Sequence, residues 1–298
     1  MKWFRWALLV LGVVLLLVGG VVSYTIHNLQ IEQLDDDLFV LYGAGGNVAV
    51  LRTDAGTVVV GTMTFQYQGG RIRIVAEELT GSGVVMVINS HYHTDHTHGN
   101  PAFASGTRVV ATDRTLEHML ETDAEYFDDV EELLPNETFS GRRDIEIGGK
   151  RLGLLWPGRG HTDGDLIVFF EEESVLHTGD LYFNQHYPNI DLEGGGSVQE
   201  WSRSIDRMFE FDFDRVIPGH GPVSGVDGLR QFQGFISQLA TLARDTDLPL
   251  ERFVAEANLT EDASYTEITM LVPIGLDRDF VLTRAWQELY DDTLTIRP

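Results

Sequence analysis

His91-Tyr92-His93-Thr94-Asp95-His96 packs three imidazoles and a carboxylate into six consecutive positions. These side chains are metal ligands, and nitrogen donors with one carboxylate and no thiolate suit Zn²⁺ and its first-row neighbours. The chain has no cysteine, so composition excludes thiolate ligation. The hexapeptide follows Val84-Val85-Met86-Val87-Ile88, an apolar run of the kind that forms a buried strand. The ligand-dense segment is therefore predicted on a loop at the carboxyl end of a strand.

Working outward, short apolar runs separated by glycine and polar turns predict strands at Phe39–Tyr42, Asn47–Arg52 and Thr57–Gly61. A polar stretch, Gly70–Leu79, is compatible with a helix leading into the strand before the cluster. Further strands are predicted at Arg151–Trp156 and Leu166–Phe170, on either side of the turn Gly158-Arg159-Gly160-His161, and at Ser174–His177 and Arg215–Pro218. Ser197-Val198-Gln199-Glu200 has the spacing of a capping box and opens a helix through about Phe209, with Trp201, Ile205, Met208 and Phe209 on its core face. Residues 112–134 read as an acidic helical stretch with Leu116, Met119 and Leu120 as apolar contacts, or as a lid. Helical periodicity continues over 226–298, notably Leu229–Leu242.

Ligand-type residues recur at the predicted strand ends: His161 in Gly-His-Thr-Asp-Gly-Asp, Asp180 in His-Thr-Gly-Asp, and His220 in Pro-Gly-His-Gly. In a layered sheet domain such ends converge although distant in sequence, and a glycine beside each ligand permits close backbone approach. With His91, His93, Asp95 and His96 they make seven, enough for two metal sites. In this pattern the chain resembles the metallo-β-lactamase superfamily over about residues 36 to 224. The resemblance implies an α/β fold, a four-layer αββα sandwich with the metals at one edge between the sheets. It implies two Zn²⁺ per chain: His91, His93 and His161 on the first, Asp95, His96 and His220 on the second, and Asp180 bridging. Two such ions share a water whose pKa falls from about 15.7 to near 7, giving a hydroxide that attacks a carbonyl. Asp95 and Asp180 would align it and relay its proton.

The donor set separates branches of that superfamily. Diiron members usually have glutamate where this chain has His93 and need a flavin domain, lactamases with a cysteine ligand are excluded by composition, and all-histidine lactamases usually have serine where this chain has Asp180. Glyoxalase II shares all seven ligands but anchors glutathione through basic residues near its C-terminus, where this chain offers Arg278, Arg284 and Arg297 and no lysine. Two positions depart from the usual pattern. Gly61 replaces an aspartate that bonds a metal histidine, a change that can cost about 10–100-fold in metal affinity or activity. His98 stands where glycine is usual, and is read as a solvated loop residue, an outer partner or an extra ligand. His186 and Tyr187 fall on a loop over the metals, as substrate contacts or as packing beneath Gly194-Gly195-Gly196. His177 is read as a core or outer residue, His27 and His118 as surface, and Asp165 as turn chemistry or a partner of a metal histidine.

Composition limits the partners. The 46 acidic and 21 basic residues give a formal charge of −25, and Lys2 and Lys150 are the lysines. Such a surface repels phosphate backbones and disfavours a nucleic-acid partner. Ala7–Ile26 is a run of 20 residues without a charge, and at about 1.5 Å per residue a helix of that length covers the roughly 30 Å of a bilayer core. Lys2 and Arg5 before it and Glu32 and Asp35–Asp37 after it orient the N-terminus inward and the body outward. A cleaved signal peptide ending before Tyr24 is the competing reading. The expected organisation is an anchor or signal segment over 1–30 and a hydrolase domain over 31–298, membrane-bound through the anchor and acting on a small molecule outside the cytoplasm. The expected reaction is hydrolysis of an ester, thioester, lactone or amide. The rival readings are an all-histidine-type β-lactamase, a weakly active metal-binding accessory protein, and a phosphoesterase or nuclease.

Overall fold

The computed structural model describes Trp6, Gly12, Gly19, Gly20 and residues 28–269 and 273–294. Apart from three glycines, the expected membrane segment Ala7–Ile26 lies outside the described residues, as do His27 and Arg297. No helix of the described residues is long and apolar enough to cross a membrane.

Two mixed sheets form the interior. The first runs in chain order through β1 (Gln30–Gln33), β2 (Leu38–Tyr42), β3 (Val48–Thr53), β4 (Gly56–Val60), β5 (Val84–Ile88), β6 (Arg108–Thr112) and β7 (Glu137–Phe139). Strands β1 to β4 form an antiparallel meander, and β4 to β7 pair in parallel. The second sheet contains β8 (Arg142–Ile147), β9 (Lys150–Leu155), β10 (Ile167–Phe170), β11 (Val175–His177), β12 (Arg215–Ile217) and β13 (Ser224–Gly225), in the order β13-β12-β11-β10-β9-β8.

Strand periodicity explains the layers. Alternate side chains of a strand point to opposite faces, and here both faces are apolar. Leu38 and Val40 of β2 and Val58 and Val60 of β4 point inward against Leu152, Leu154, Val168 and Phe170 of the second sheet. Their neighbours Phe39, Leu41 and Val59 point outward against Ile72, Val75 and Ala76 of α1 (Gln66–Thr80). The outer face of the second sheet is covered by further helices. After α2 (Thr94–Thr97) and α3 (Asp113–Thr122) on the first-sheet side come α4 (Val198–Met208), α5 (Val226–Arg244), α6 (Leu250–Glu256) and α7 (Arg278–Tyr290). Trp201, Ile205 and Met208 of α4 pack with Phe232, Phe235 and Leu239 of α5 and with Val281 and Leu282 of α7. The result is the αββα sandwich that the family resemblance implies.

Several elements differ from expectation. The polar, exposed strand β1 and the edge strand β8, with its charged alternation Arg142-Arg143-Asp144-Ile145-Glu146, carry no apolar run to reveal them. Helix α3 occupies only part of 112–134; it buries Thr115, His118 and Met119, while Leu120 is exposed. The capping box on α4 is half formed. Ser197 Oγ accepts the Glu200 amide at 3.1 Å, but the Ser197 amide donates to Gly160 O and Glu200 pairs with Arg159.

Sheet geometry sets the site. Strands β11 and β12 run parallel with His177 beside Ile217, so the turns after them deliver Asp180 and His220 side by side. Strand β10 is antiparallel to β11, which brings the β9–β10 loop carrying His161 to the same edge.

Candidate metal centre

The loop after β5 supplies four of the seven residues. His93 ends an extended segment and stands at the N-cap of α2, and Asp95 and His96 lie within that single turn. Buried amides pin it: the His96 carbonyl accepts from the Thr62 amide at 3.0 Å, Thr62 Oγ1 at 3.1 Å and Asn89 Nδ2 at 3.2 Å. Two glycines make room. A Cβ on Gly46 would sit 2.1 Å from the His96 ring, and one on Gly219 would sit 2.0 Å from Asp180 Oδ1.

All seven side chains converge. Ligand atoms of His91, His93, His161 and Asp180 lie within 4.8 Å of one another, and those of Asp95, His96 and His220 form a second such group. His161 Nε2 is 2.9 Å from His93 Nδ1. Asp180 lies between the groups: Oδ2 is 3.9 Å from His91 Nε2, 3.7 Å from His161 Nε2 and 3.5 Å from His220 Nε2, while Oδ1 is 3.0 Å from His96 Nε2. Asp95 Oδ2 is 3.5 Å from His96 Nε2 and 3.3 Å from His220 Nε2.

The contacts among these atoms leave three of them unsatisfied. Among the described residues, His91 Nε2, His96 Nε2 and Asp180 Oδ1 are buried with no hydrogen-bond partner, which is costly unless a cation completes the arrangement. Burial, reinforced by His96, holds the His91 imidazole well below its ordinary range, and burial with His93 brings His161 down to about 4. Burial would raise the Asp180 carboxyl, but His96 and His220 outweigh it and hold the group well below the ordinary carboxylate range. His220 is pushed up to about 10, since Asp180 and Asp95 outweigh its burial. Neutral imidazoles and ionised carboxylates are the forms that bind metal.

An outer carboxylate escapes the sequence reading. His93 Nε2 lies 3.0 Å from Asp191 Oδ2, which also accepts the Tyr92 hydroxyl, while Asp191 Oδ1 accepts the Gly194 amide at 2.9 Å. Burial opposes ionisation of Asp191, yet His93, Tyr92 and Gly194 keep its pKa low. Its one signal in sequence is an acid three residues before glycine, the spacing favoured in a type I turn. Gly61, by contrast, has φ +79° and donates its amide to Ile88 O. The Nδ1 of His96 has no partner among the described residues.

Four remaining histidines take defined places. His98 is not solvated: it pairs with Asp123 and stacks on Tyr126 at 3.8 Å between ring centroids, tying the metal loop to the segment after α3. His118, expected at the surface, is buried; its ring stacks on Tyr92 and lies 2.7 Å from Asp163 Oδ1. His177 is a core residue spanning Asn47 O and the Gly179 amide. His186 faces the cleft, whereas Tyr187 bonds Asp262 and packs beside Tyr265. Asp165 serves the turn, accepting the Thr162 amide and hydroxyl at 2.8 and 2.7 Å.

A sandwich of this topology, with a His/Asp metal-binding cluster at one edge of its two sheets, defines a metal-dependent hydrolase. The metallo-beta-lactamase superfamily model matches residues 41–220, and the chain belongs to that superfamily. A metallo-beta-lactamase type 2 of Elizabethkingia meningoseptica is 26% identical over 238 residues, covering 74% of this chain and 89% of the relative. The 2,4-dinitroanisole O-demethylase subunit alpha of Nocardioides sp. (strain JS1661) is 26% identical over 180 residues, 59% of this chain and 53% of that protein. A solved metallo-beta-lactamase from Pontibacter korlensis shares the fold with a TM-score of 0.61 at 20% identity, over 70% of this chain and 99% of that one.

Proposed function

We propose that the protein is a dinuclear zinc hydrolase of carbonyl compounds, an ester, thioester, lactone or amide. The observation that carries this reading is the convergence of seven ligand-type side chains in two groups, His91, His93, His161 and Asp180 in one and Asp95, His96 and His220 in the other, with His91 Nε2, His96 Nε2 and Asp180 Oδ1 buried and unpartnered among the described residues. His91, His93 and His161 would hold the first ion, Asp95, His96 and His220 the second, with Asp180 shared. When bound, such a pair supplies a hydroxide nucleophile at neutral pH and polarises a carbonyl oxygen.

The residues do the remaining work. Asp191 and the Asn189 carbonyl fix the rings of His93 and His161 through their outer nitrogens, at 3.0 and 2.9 Å. Asp95 is the more exposed carboxylate, at 28% against 3% for Asp180, and lines the cleft. It is placed to take a proton from the attacking water and return it to the leaving group. Relatives of similar identity bear lactamase and O-demethylase names, so no single substrate transfers with the family.

Elemental assay after zinc loading, followed by rates on a panel of esters, thioesters, lactones, amides and β-lactams, tests this reading. Two zinc ions per chain with turnover of at least one carbonyl class is expected. Two zinc ions with no turnover would leave a metal-binding accessory protein, the reading that the unpartnered His96 Nδ1 favours. We also propose that Ala7–Ile26 tethers this domain outside the cytoplasm, on the strength of its uncharged length and flanking charges. Recovery of the full chain in the soluble fraction, with its N-terminus intact, would argue against a tether.

A further inference from the structure

Two cavities meet at the metal centre. The larger, about 460 Å³, has an apolar wall of Tyr42, Phe183, Ile268, Ile274 and Leu276. The smaller, about 320 Å³, extends past Tyr92, Thr122 and Asp123. His93, Thr94, Asp95 and Asn189 line both, so a substrate bond at the centre would have one arm on either side.

Neither arm holds a lysine or arginine among the described residues that line it. Beyond the seven ligand-type residues, the ionisable groups there are the phenols, Asp123 and His186. His186 is engaged by Thr266, its Nδ1 3.1 Å from Thr266 Oγ1 and 3.3 Å from Thr266 O, and burial disfavours its charged form. The surface around the cleft belongs to a chain with a formal charge of −25. An anionic group entering the larger arm would lose water and meet apolar side chains with no free cation in exchange, since His220 already faces Asp95 and Asp180 at 3.3 and 3.5 Å. Its approach would also be opposed by the field of the protein.

We infer that the substrate is uncharged away from its reacting bond, with an apolar acyl chain lying along Tyr42, Phe183, Ile268, Ile274 and Leu276. This rests on the hydrolase reading and narrows it: acyl compounds with a distal carboxylate are selected against.

The test uses the full chain loaded with zinc and two matched esters, 4-nitrophenyl octanoate and the mono-4-nitrophenyl ester of octanedioic acid. They share leaving group and reach and differ in the distal carboxylate. The neutral ester is expected to have a kcat/KM higher by about tenfold or more, and added salt should raise the rate for the anionic ester while leaving the neutral one unchanged. Ile274 is on the exposed rim, at 46%, so Ile274→Arg is expected to shrink the ratio by favouring the anion. In the metal-free protein, calorimetry should detect octanamide binding and little binding of its ω-carboxy analogue. Turnover of both esters at equal rates, preference for the anion, equal binding of the two amides, or an unchanged ratio in Ile274→Arg would overturn the substrate inference and leave the hydrolase intact. No turnover of either ester by protein carrying two zinc ions, together with none across the wider panel of carbonyl compounds, would remove the hydrolase reading, and this inference with it.

Discussion

The two halves of the metal centre are built to different standards. In the first, each histidine has its outer nitrogen engaged: His91 Nδ1 by Ser90 Oγ at 3.1 Å, His93 Nε2 by Asp191 at 3.0 Å and His161 Nδ1 by the Asn189 carbonyl at 2.9 Å. In the second, His96 Nδ1 is buried without a partner among the described residues, and His220 is held by stacking on Phe183, with centroids 5.1 Å apart. Outer partners fix the ring and raise its basicity as a ligand. Imidazoles of the same kind are therefore held unequally in the two halves, and the first half is expected to bind more tightly.

The largest effect should come from the residue common to both. Asp180→Ala is expected to lower zinc content below one ion per chain and activity by about 10³-fold or more, by loss of the metal-dependent term, with little change in the circular dichroism of the metal-free protein. Full zinc content in this variant would break the division into two groups sharing Asp180. Next, Asp191→Asn should weaken zinc binding in the first half by about 10–100-fold, measured by competition with a chelator. An unchanged first binding constant would show that outer hydrogen bonds do not set the difference.

Proton competition sharpens the contrast further. His220, pushed up to about 10, is protonated at neutral pH in the metal-free protein, so zinc must displace that proton. Affinity in the second half should therefore rise with pH, by about tenfold per unit below the pKa for one displaced proton. In the first half burial and neighbouring imidazoles keep His91 and His161 neutral at pH 7, and His93 is shifted upward because Asp191 outweighs its burial. Calorimetry in buffers of different ionisation enthalpy should find more proton release at the weaker step. Equal release at both steps would contradict this assignment.

The smallest effect concerns the loop that carries His161. Burial raises the Asp165 pKa to about 8. Below the ordinary value near 3.8 the carboxyl is neutral in folded and unfolded chains alike. Between about 4 and 8 only the unfolded chain ionises, so the contribution of Asp165 to stability falls as pH rises through this window. Asp165→Asn should raise stability by on the order of 1 kcal/mol at pH 7.5 and leave it unchanged at pH 4. A thermal melt that shifts equally at both pH values would show that ionisation is not the cause.

What the sequence revealed follows the same division. Residues whose role is written locally were legible: His91 to His96 by their density, and His161, Asp180 and His220 by an adjacent glycine and a preceding strand. Strands β2 to β5 and β9 to β12 were legible because both of their faces are apolar. Asp191 was not, since its contact with His93 spans 98 residues and its local signal is that of an ordinary turn. His118 and Asp163, 45 residues apart, form a buried pair that no periodicity announces. The edge strands β1 and β8 are polar because they face water. Strand β6, Arg108-Val-Val-Ala-Thr112, does carry an apolar run that the reading passes over.

Stepwise zinc titration of metal-free protein, wild type and His220→Ala, addresses the unequal pair most directly. Two equivalents are expected for the wild type, the first bound more tightly, and His220→Ala should retain the tight equivalent and lose or markedly weaken the other. Uptake of no zinc, uptake in one indistinguishable step, or loss of the tight equivalent in His220→Ala would contradict the account.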